Sequence, residues 1–448
     1  MSNAWEGDTI AALATAEGRG AIAVVRVSGS SAFSIVRQCI APWPEHHRRA
    51  TLCTVRDRDG DVLDEALVTT FVAPSSYTGE DVVELATHGG MVVPTLVLGA
   101  LVASGARIAH PGEFTRRALL NGKLDLVQAE AIGDLIDSTS RAMQRVAMTQ
   151  LDGGLSVRIN ELREQVIGLE ALIAYDIDFP EEDDGPIPRA RVEAATANIV
   201  SSLSVLLATA PAGELVRSGA LVVIAGAPNA GKSSLFNAML GRARAIVTEV
   251  PGTTRDAIEA ELDTSPWPLR LVDTAGLRDT ADVVEKLGIE VATRYLASAD
   301  VVLACGETVE AVTRTAGIVA GLTNAPLIRV HTKADVSMSA LSEDSVVSAT
   351  TGIGVRELLD TIAATISKQY GGVALDAPIL MRERHRYCVD HALQEMLAFA
   401  AALAQGGLPA SIAAVHLRSA ANALADVTGT IDVEDVLDRL FRTFCVGK

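Results

Sequence analysis

The chain has 448 residues, enough for about three domains with a full core in each. With 38 Lys and Arg against 56 Asp and Glu its net charge is −18, and with 8 Phe, 5 Tyr and 3 Trp it lacks a long aromatic platform, so a general nucleic-acid binder is excluded; any RNA must be met locally or through a partner. Five cysteines (Cys39, Cys53, Cys305, Cys388 and Cys445) without a C-x-x-C pair argue against a disulfide framework or structural zinc and point to a reducing, cytoplasmic compartment.

Glu6, Asp8 and Glu17 surround the short apolar stretch at the N-terminus, which is not the basic, then apolar, start of a signal peptide. The most apolar segment, Met91 to Ala103, is interrupted by Pro94 and Gly99 and too short to span a bilayer. Residues 1–120 alternate β-rich runs, such as Ala21 to Val27 and Leu67 to Val72, with Gly and Pro punctuation and a few helical stretches, which predicts a compact α+β domain. From Leu124 the period changes: Leu124, Val127, Ala131 and Leu135, widened by Ile132 and Ile136, form a helical stripe, and residues 121–216 read as long amphipathic helices. The acidic, Pro-containing segment from Asp178 to Pro186 interrupts them as a solvated loop.

Residues 217–372 change character again. Near-continuous apolar runs (Leu221 to Ala225, Val301 to Ala304, Leu327 to Val330) alternate with helical windows, the pattern of a parallel sheet covered on both faces. Residues 373–448 return to Ala- and Leu-rich helices. The α/β unit is thus expected to be inserted into one helical domain, with two separate helical domains as the competing reading.

Gly226-Ala227-Pro228-Asn229-Ala230-Gly231-Lys232-Ser233 follows a buried strand and opens a helix through Ser234, the context of a phosphate-binding loop. Its N–H groups wrap phosphates, Lys232 reaches the β and γ phosphates and Ser233 ligates magnesium. A second strand runs into Asp273-Thr274-Ala275-Gly276, where a carboxylate can hold magnesium through water and a glycine N–H can meet the γ phosphate. Thr332-Lys333-Ala334-Asp335 follows a third strand; Asp335 can accept from guanine's N–H groups while the Lys333 stem covers the base, and Ser348-Ala349-Thr350 can offer an N–H to the guanine oxygen. Adenine has no matching donor pair, so GTP is favoured over ATP.

Leu277 stands where Ras-like proteins carry a water-orienting Gln, and its alkyl side chain cannot do that work. Two groups can supply the missing stabilisation. Asn229 with the loop Thr248-Glu249-Val250-Pro251-Gly252-Thr253-Thr254 can coordinate a monovalent cation, or be an ordinary turn residue; Glu285 can orient water, or be a solvated helix residue. The chain has 32 Arg and six Lys, so a Lys kept in a motif, as at Lys232 and Lys333, stands out as a compact ammonium.

Together with Gly18-Arg19-Gly20, Arg26-Val27-Ser28-Gly29, Ser76-Tyr77-Thr78-Gly79-Glu80-Asp81, His88-Gly89-Gly90, Pro111-Gly112-Glu113-Phe114-Thr115, Asn121-Gly122-Lys123-Leu124-Asp125-Leu126 and the terminal Phe444-Cys445-Val446-Gly447-Lys448, these motifs resemble the MnmE (TrmE) family of tRNA-modification GTPases along essentially the whole chain. The resemblance implies a Ras-like P-loop GTPase domain inserted into an α-helical domain, with an N-terminal α+β domain that binds folate and dimerises. It implies a potassium site at Asn229, Thr248, Val250 and Thr253, magnesium ligands Ser233 and Thr254, and Glu285 as the water-orienting catalytic residue. Arg26, Glu84, Lys123 and Lys448 correspond to the folate contacts, with Glu80 as the alternative to Glu84. Cys445 is either a small buried hydrophobe or a thiol near the folate that takes part in modification.

The implied activity is potassium-activated GTP hydrolysis coupled, with the FAD- and NADH-dependent partner MnmG, to placing an aminomethyl or carboxymethylaminomethyl group on carbon 5 of the wobble uridine. Methylenetetrahydrofolate is the implied one-carbon source. A homodimer, a heterotetramer with MnmG, tRNA met largely through that partner, and no membrane or DNA complete the expectation. The alternative is a GTP-dependent RNA or ribosome-assembly switch without modification chemistry. Two departures from the family pattern stand out: Thr332 in place of the commoner Asn, expected to loosen the guanine loop slightly, and Val446 in place of Ile.

Overall fold

The structure is a computed structural model that describes residues 7–178, 188–242, 244–246, 258–273, 293–336, 344–371, 374–404, 410–429 and 447. The chain divides into two units, Met1–Gly133 with Thr428–Lys448, and Asp134–Val427. Of the described residues from Thr428 on, Thr428, Gly429 and Gly447 group with the first unit.

In chain order the first elements are β1 (Ile10–Leu13), β2 (Ile22–Ser28), α1 (Ala32–Arg37), β3 (Ile40–Ala41), β4 (Thr51–Arg56), β5 (Val62–Phe71), β6 (Val82–His88), α2 (Val93–Ala103), β7 (Arg107–Ile108), α3 (Glu113–Leu120) and α4 (Leu126–Ile136). The described strands form a sheet in the order β3-β4-β5-β6-β2-β1-β7, antiparallel except for β1 and β7. Strand alternation explains its two faces. Val25, Val27, Val68, Val83 and Leu85 turn inward and pack with Ile35, Val36, Val97 and Leu101 of α1 and α2. The opposite face carries Leu52, Leu67, Ala86 and Val24, aligned across β4, β5, β6 and β2 by register, with Leu52 and Leu67 exposed.

At the β1 and β7 edge of this sheet, on the face that carries Arg26, lies a cluster of charges. Glu113 accepts from Arg107 (Nη2 2.6 Å, Nη1 3.0 Å), from Arg117 (3.0 Å) and from the His110 backbone N–H (2.8 Å); Asp8 accepts from Arg107 (2.8 Å) and from Arg117. The Glu113 and Arg117 side chains are only 4% and 6% exposed, so each charge depends on its partners. Burial by itself would raise both carboxyls; the hydrogen bonds from Arg107 and Arg117 outweigh it and hold Asp8 and Glu113 below the ordinary carboxylate range.

The second unit contains α5 (Arg141–Leu151), α6 (Gly154–Asp178), α7 (Arg189–Leu207), α8 (Ala210–Ser218), β8 (Ala220–Gly226), α9 (Lys232–Arg242), β9 (Arg244–Ile246), β10 (Ile258–Asp263), β11 (Leu269–Asp273), β12 (Val301–Gly306), α10 (Val309–Ala320), β13 (Leu327–His331), β14 (Ser345–Val346), α11 (Val355–Tyr370), α12 (Glu383–Ala404) and α13 (Ala410–Thr428). Its sheet runs β14-β13-β12-β8-β11-β10-β9, parallel except at β10, which is antiparallel to both neighbours. The apolar runs are continuous because β8 is covered on both sides. Val222 and Ile224 meet Leu235, Phe236, Leu358 and Ile362, while Leu221 and Val223 meet Val272, Val302 and Val319. The first of these cores continues into Ala142, Val146, Leu215, Val216, Ile379 and Met381, so the sheet and its neighbouring helices share one interior. Gly213 allows the close approach there: a Cβ would lie 2.2 Å from the Leu380 carbonyl oxygen.

Met91 to Ala103 is not the longest apolar stretch. Arg189–Ser218 is long and apolar enough to cross a membrane by length and composition, yet it is two helices, α7 and α8, whose Val192, Ile199, Leu203, Leu206, Leu215 and Val216 are buried in the protein. The acidic loop after Asp178 lies outside the described residues. Four cysteines, Cys39, Cys53, Cys305 and Cys388, are free and buried; Cys445 is outside the described residues.

The charge cluster sets an expectation for stability. Glu113→Ala takes the most buried carboxylate from two arginines, which keep Asp8 and Glu80, and is expected to cost about 3 kcal/mol in denaturant unfolding. The depressed carboxyls contribute fully above their ordinary values and lose that contribution as pH falls through the lowered ones. The urea midpoint is expected to drop on acidification below about pH 4, less steeply in Glu113→Gln.

Candidate functional site

The phosphate loop begins where β8 ends. At Gly226 a Cβ would stand 2.7 Å from the Cys305 carbonyl oxygen, so only glycine lets β12 lie this close. The chain turns through Asn229 (φ 59°) and Gly231 (φ +79°), both left-handed, and Asn is among the side chains that tolerate this region. Ala230 is buried, Lys232 opens α9 at 6% exposure, and Ser233 and Ser234 are exposed in its first turn. The Lys232 ammonium donates to the Gly226 and Ala227 carbonyls at 3.0 and 2.9 Å. Asp273 ends β11 opposite Ile224 of β8 and is fully buried. Between them Cys305 is inert: burial, with Asp273 adding and Lys232 opposing, pushes its thiol up to about 12.

The second loop follows β13. Thr332 is 3% exposed; its backbone N–H donates to the Gly306 carbonyl at 2.9 Å, and its hydroxyl lies 2.8 Å from the Ala230 carbonyl and 3.2 Å from that of Gly306. The hydroxyl itself thus reaches across to the phosphate loop. Lys333 is left-handed (φ 59°) and its ammonium pairs with Glu307. Ala334 donates its N–H to Val347 O at 3.1 Å, and the exposed Asp335 carboxylate accepts from the Ser348 hydroxyl at 2.6 Å, which holds it below the usual carboxylate range. The Ser348 N–H is used by Ile353 O at 2.9 Å, which leaves Ala349 and Thr350 as the N–H groups of that turn. The geometry thus joins Asn229 to Ser234, Asp273, Thr332 to Asp335 and Ser348 to Thr350 at the carboxyl ends of parallel strands, where α/β sheets bind ligands.

In the first unit, Arg26 of β2 pairs with Glu84 of β6 at 2.8 Å, opposite it in register, on the outer face of the sheet. The Arg26 guanidinium stands over the rings of Tyr77 and Phe114, at 5.2 and 5.6 Å from their centroids. The loop after Tyr77 draws in the exposed Lys123: Asn121 donates to Thr78 O at 2.7 Å, and a Cβ at Gly79 would be 3.3 Å from the Lys123 Cγ. Glu80 is turned elsewhere, accepting from Ser28 (2.7 Å) and Arg117 (3.2 Å), so Glu84 is the carboxylate beside Arg26. The chain end arrives here too. The Gly447 carbonyl accepts from Arg26 Nη1 at 3.4 Å, and a Cβ on Gly447 (φ +103°) would strike Leu13 O at 2.1 Å.

Thr248, Glu249, Val250, Pro251, Gly252, Thr253, Thr254, Thr274, Ala275, Gly276, Glu285, Cys445 and Lys448 lie outside the described residues. Sequence reasoning did not single out the roles of Tyr77 and Phe114 around Arg26, of Glu307 opposite Lys333, or of the Asp8–Arg107–Glu113–Arg117 cluster. Glu113 and Arg117 are four apart on α3, so helical periodicity was a signal for that pair. Most of the other partners are too far apart in the chain for any periodicity to pair them.

The sequence profile of the MnmE helical domain matches residues 126–445, and that of the GTP-binding protein TrmE N-terminus matches residues 9–123. A tRNA modification GTPase MnmE of Akkermansia muciniphila is 40% identical over 447 residues, spanning 98% of this chain and 99% of the relative. The protein of the same description from Azoarcus sp. is 42% identical over 451 residues, spanning 98% of each. The G domain of the T. maritima FeoB iron transporter matches 33% of this chain and 98% of its own length at 25% identity with a TM-score of 0.27, a likeness too distant to carry any functional inference. With a phosphate loop joined to a guanine-type loop and full-length relatives at this identity, the chain belongs to the MnmE (TrmE) family of tRNA modification GTPases.

Proposed function

We propose that this GTPase is activated by potassium and works as a homodimer with MnmG, adding an aminomethyl or carboxymethylaminomethyl group to carbon 5 of the wobble uridine of certain tRNAs in the cytoplasm. The observation that carries the reading is the meeting of Arg26, Glu84 and the C-terminal Gly447 on one sheet face. A switch that only cycled between GTP and GDP would need neither that pair nor a chain end fitted so closely that Gly447 admits no side chain. The organisation we propose is a folate-binding and dimerising domain over residues 1–120, helical segments over 121–216 and 373–448, and a G domain over 217–372.

For the nucleotide, Asn229 to Ser234 wrap the phosphates, with Lys232 moving from the Gly226 and Ala227 carbonyls to the β and γ oxygens. Ser233 and Thr254 would hold magnesium, with Asp273 behind it through water, and a buried carboxylate at a strand end suits that part. Asp335 accepts from guanine, and Ala349 or Thr350 supplies the N–H for its oxygen. Asn229, Thr248, Val250 and Thr253 would hold potassium; the left-handed Asn229 is consistent with a loop shaped for a ligand. The ion supplies positive charge against the developing charge of the phosphoryl group. Glu285 orients the attacking water.

Arg26, Glu84, Lys123 and Lys448 would bind a folate derivative, which supplies the one-carbon unit. A cation, a carboxylate and the partly exposed Tyr77 ring, with the buried Phe114 backing the guanidinium, suit a ligand with a flat, polar ring and a carboxylate tail. The aligned Leu52, Leu67, Ala86 and Val24 beside that pair favour burial against a second copy, which would close the site. Cys445, next to the same chain end, is proposed to take part in modification.

Nucleoside mass spectrometry of tRNA from cells lacking the gene is expected to reveal loss of the modified wobble uridine, restored by the wild-type gene; unchanged nucleosides would reject the reading. GTP turnover is expected to be much faster in potassium than in sodium at matched ionic strength, and equal rates would remove the cation. Glu285→Ala is expected to bind GTP normally while losing about 10²-fold or more in kcat. Thr332→Ala is expected to weaken nucleotide binding about fivefold, the effect of one lost hydrogen bond, with Thr332→Asn close to wild type.

A further inference from the structure

The guanine-reading loops are supported by a buried pair outside the motifs. His331 ends β13, immediately before Thr332, and is 2% exposed; Asp344 immediately precedes β14, and its side chain is 4% exposed. Nε2 of His331 lies 2.8 Å from Oδ2 of Asp344. A carboxylate only accepts, so Nε2 is the donor. Nδ1 is buried without a hydrogen-bond partner among the described residues, so the bond to Asp344 is what anchors the ring.

β14 is the edge strand of its sheet and only two residues long, paired with β13 at Val330↔Ser345 and His331↔Val346. Such a short edge has little ladder of its own to fix it. Beyond it the chain reaches Val347, whose N–H donates to His331 O at 2.8 Å and whose carbonyl accepts from Ala334 N at 3.1 Å, and then Ser348, whose hydroxyl holds Asp335. The His331–Asp344 bond thus sits at the root of both loops and sets where Ser348 holds the carboxylate.

We propose that His331 and Asp344 are positioning residues for guanine, a buried side-chain clamp that keeps the loop of Asp335 and the loop of Ser348 to Thr350 in register. The proposal rests on the reading of Asp335 as the guanine-reading carboxylate. Asp335 spans N1–H and the 2-amino group of guanine, and inosine lacks the amino group. A misplaced carboxylate therefore loses the preference for guanine over hypoxanthine, whereas a fold that is merely loosened weakens both alike.

The test measures binding of GDP, IDP and ADP to the full-length protein, wild type and four variants. H331L and D344A are expected to weaken GDP by about tenfold or more, the effect of one orphaned buried polar group, and to bring the GDP-to-IDP ratio towards one. H331Q keeps a donor near Nε2 and D344N keeps an acceptor; both are expected to retain the ratio. Equal weakening of GDP and IDP, or no change in H331L and D344A, would overturn the clamp. If H331L fails to fold, D344A on the sheet edge is read in the same way. A wild-type protein that binds GDP, IDP and ADP alike would instead reject the guanine reading and the clamp with it.

Discussion

The hydroxyl of Thr332 spans 102 positions of sequence to reach the Ala230 carbonyl, so the loop of Gly226 to Ser233 and the loop of Thr332 to Asp335 are held by the same atom. Parallel strands make this possible. β8, β11, β12, β13 and β14 all end on one side of the sheet, so their following loops converge without any long excursion. The convergence in turn requires close backbone approach, as at Gly226 against the Cys305 carbonyl and at Gly354, where a Cβ would lie 1.9 Å from the Val346 carbonyl oxygen. Left-handed Asn229 and Lys333 lie in these same two loops, and both belong to the nucleotide motifs.

The N-terminal unit solves a different problem. Its sheet buries one face under two helices; the other is covered near β1 by Phe114 of α3 and exposed at Leu52 and Leu67, and Arg26 and Glu84 stand between. Their positions depend on the loop from Ser76 to Asp81, whose Tyr77 lies under Arg26, whose Thr78 bonds Ser28 at 2.7 Å, and whose Glu80 reaches Arg117. Arg117 belongs to the buried charge cluster with Glu113 and Asp8, so Arg26 and Glu84 are braced on their own face by charges that cannot be separated cheaply. Buried ion pairs of this kind hold geometry more surely than they add stability, which suits a surface meant to present a fixed set of groups.

In the other unit, one hydrophobic interior runs from the underside of the nucleotide sheet into α5 and α8. Asp134 is shared there by Arg382 at 2.7 Å and Arg217 at 3.6 Å, joining chain segments about as far apart as the unit allows.

The sequence by itself determined the nucleotide chemistry. The phosphate loop and Asp335 are local strings, and their meaning follows from side-chain type and from the apolar run that precedes each. The doubly covered sheet was equally legible, since β8 and β12 are apolar without alternation and β13 is interrupted only by the exposed Arg329 before its terminal His331. The Arg26–Glu84 pair came only from resemblance, because a single charge on a strand is indistinguishable from any solvated one. What tertiary structure decided are the long-range partners: Thr332 with Ala230, His331 with Asp344, and Gly447 with Arg26 and Leu13. Residue type and spacing say that a group must be satisfied when buried, but which distant group satisfies it depends on strand order and register, and those are properties of the folded chain alone.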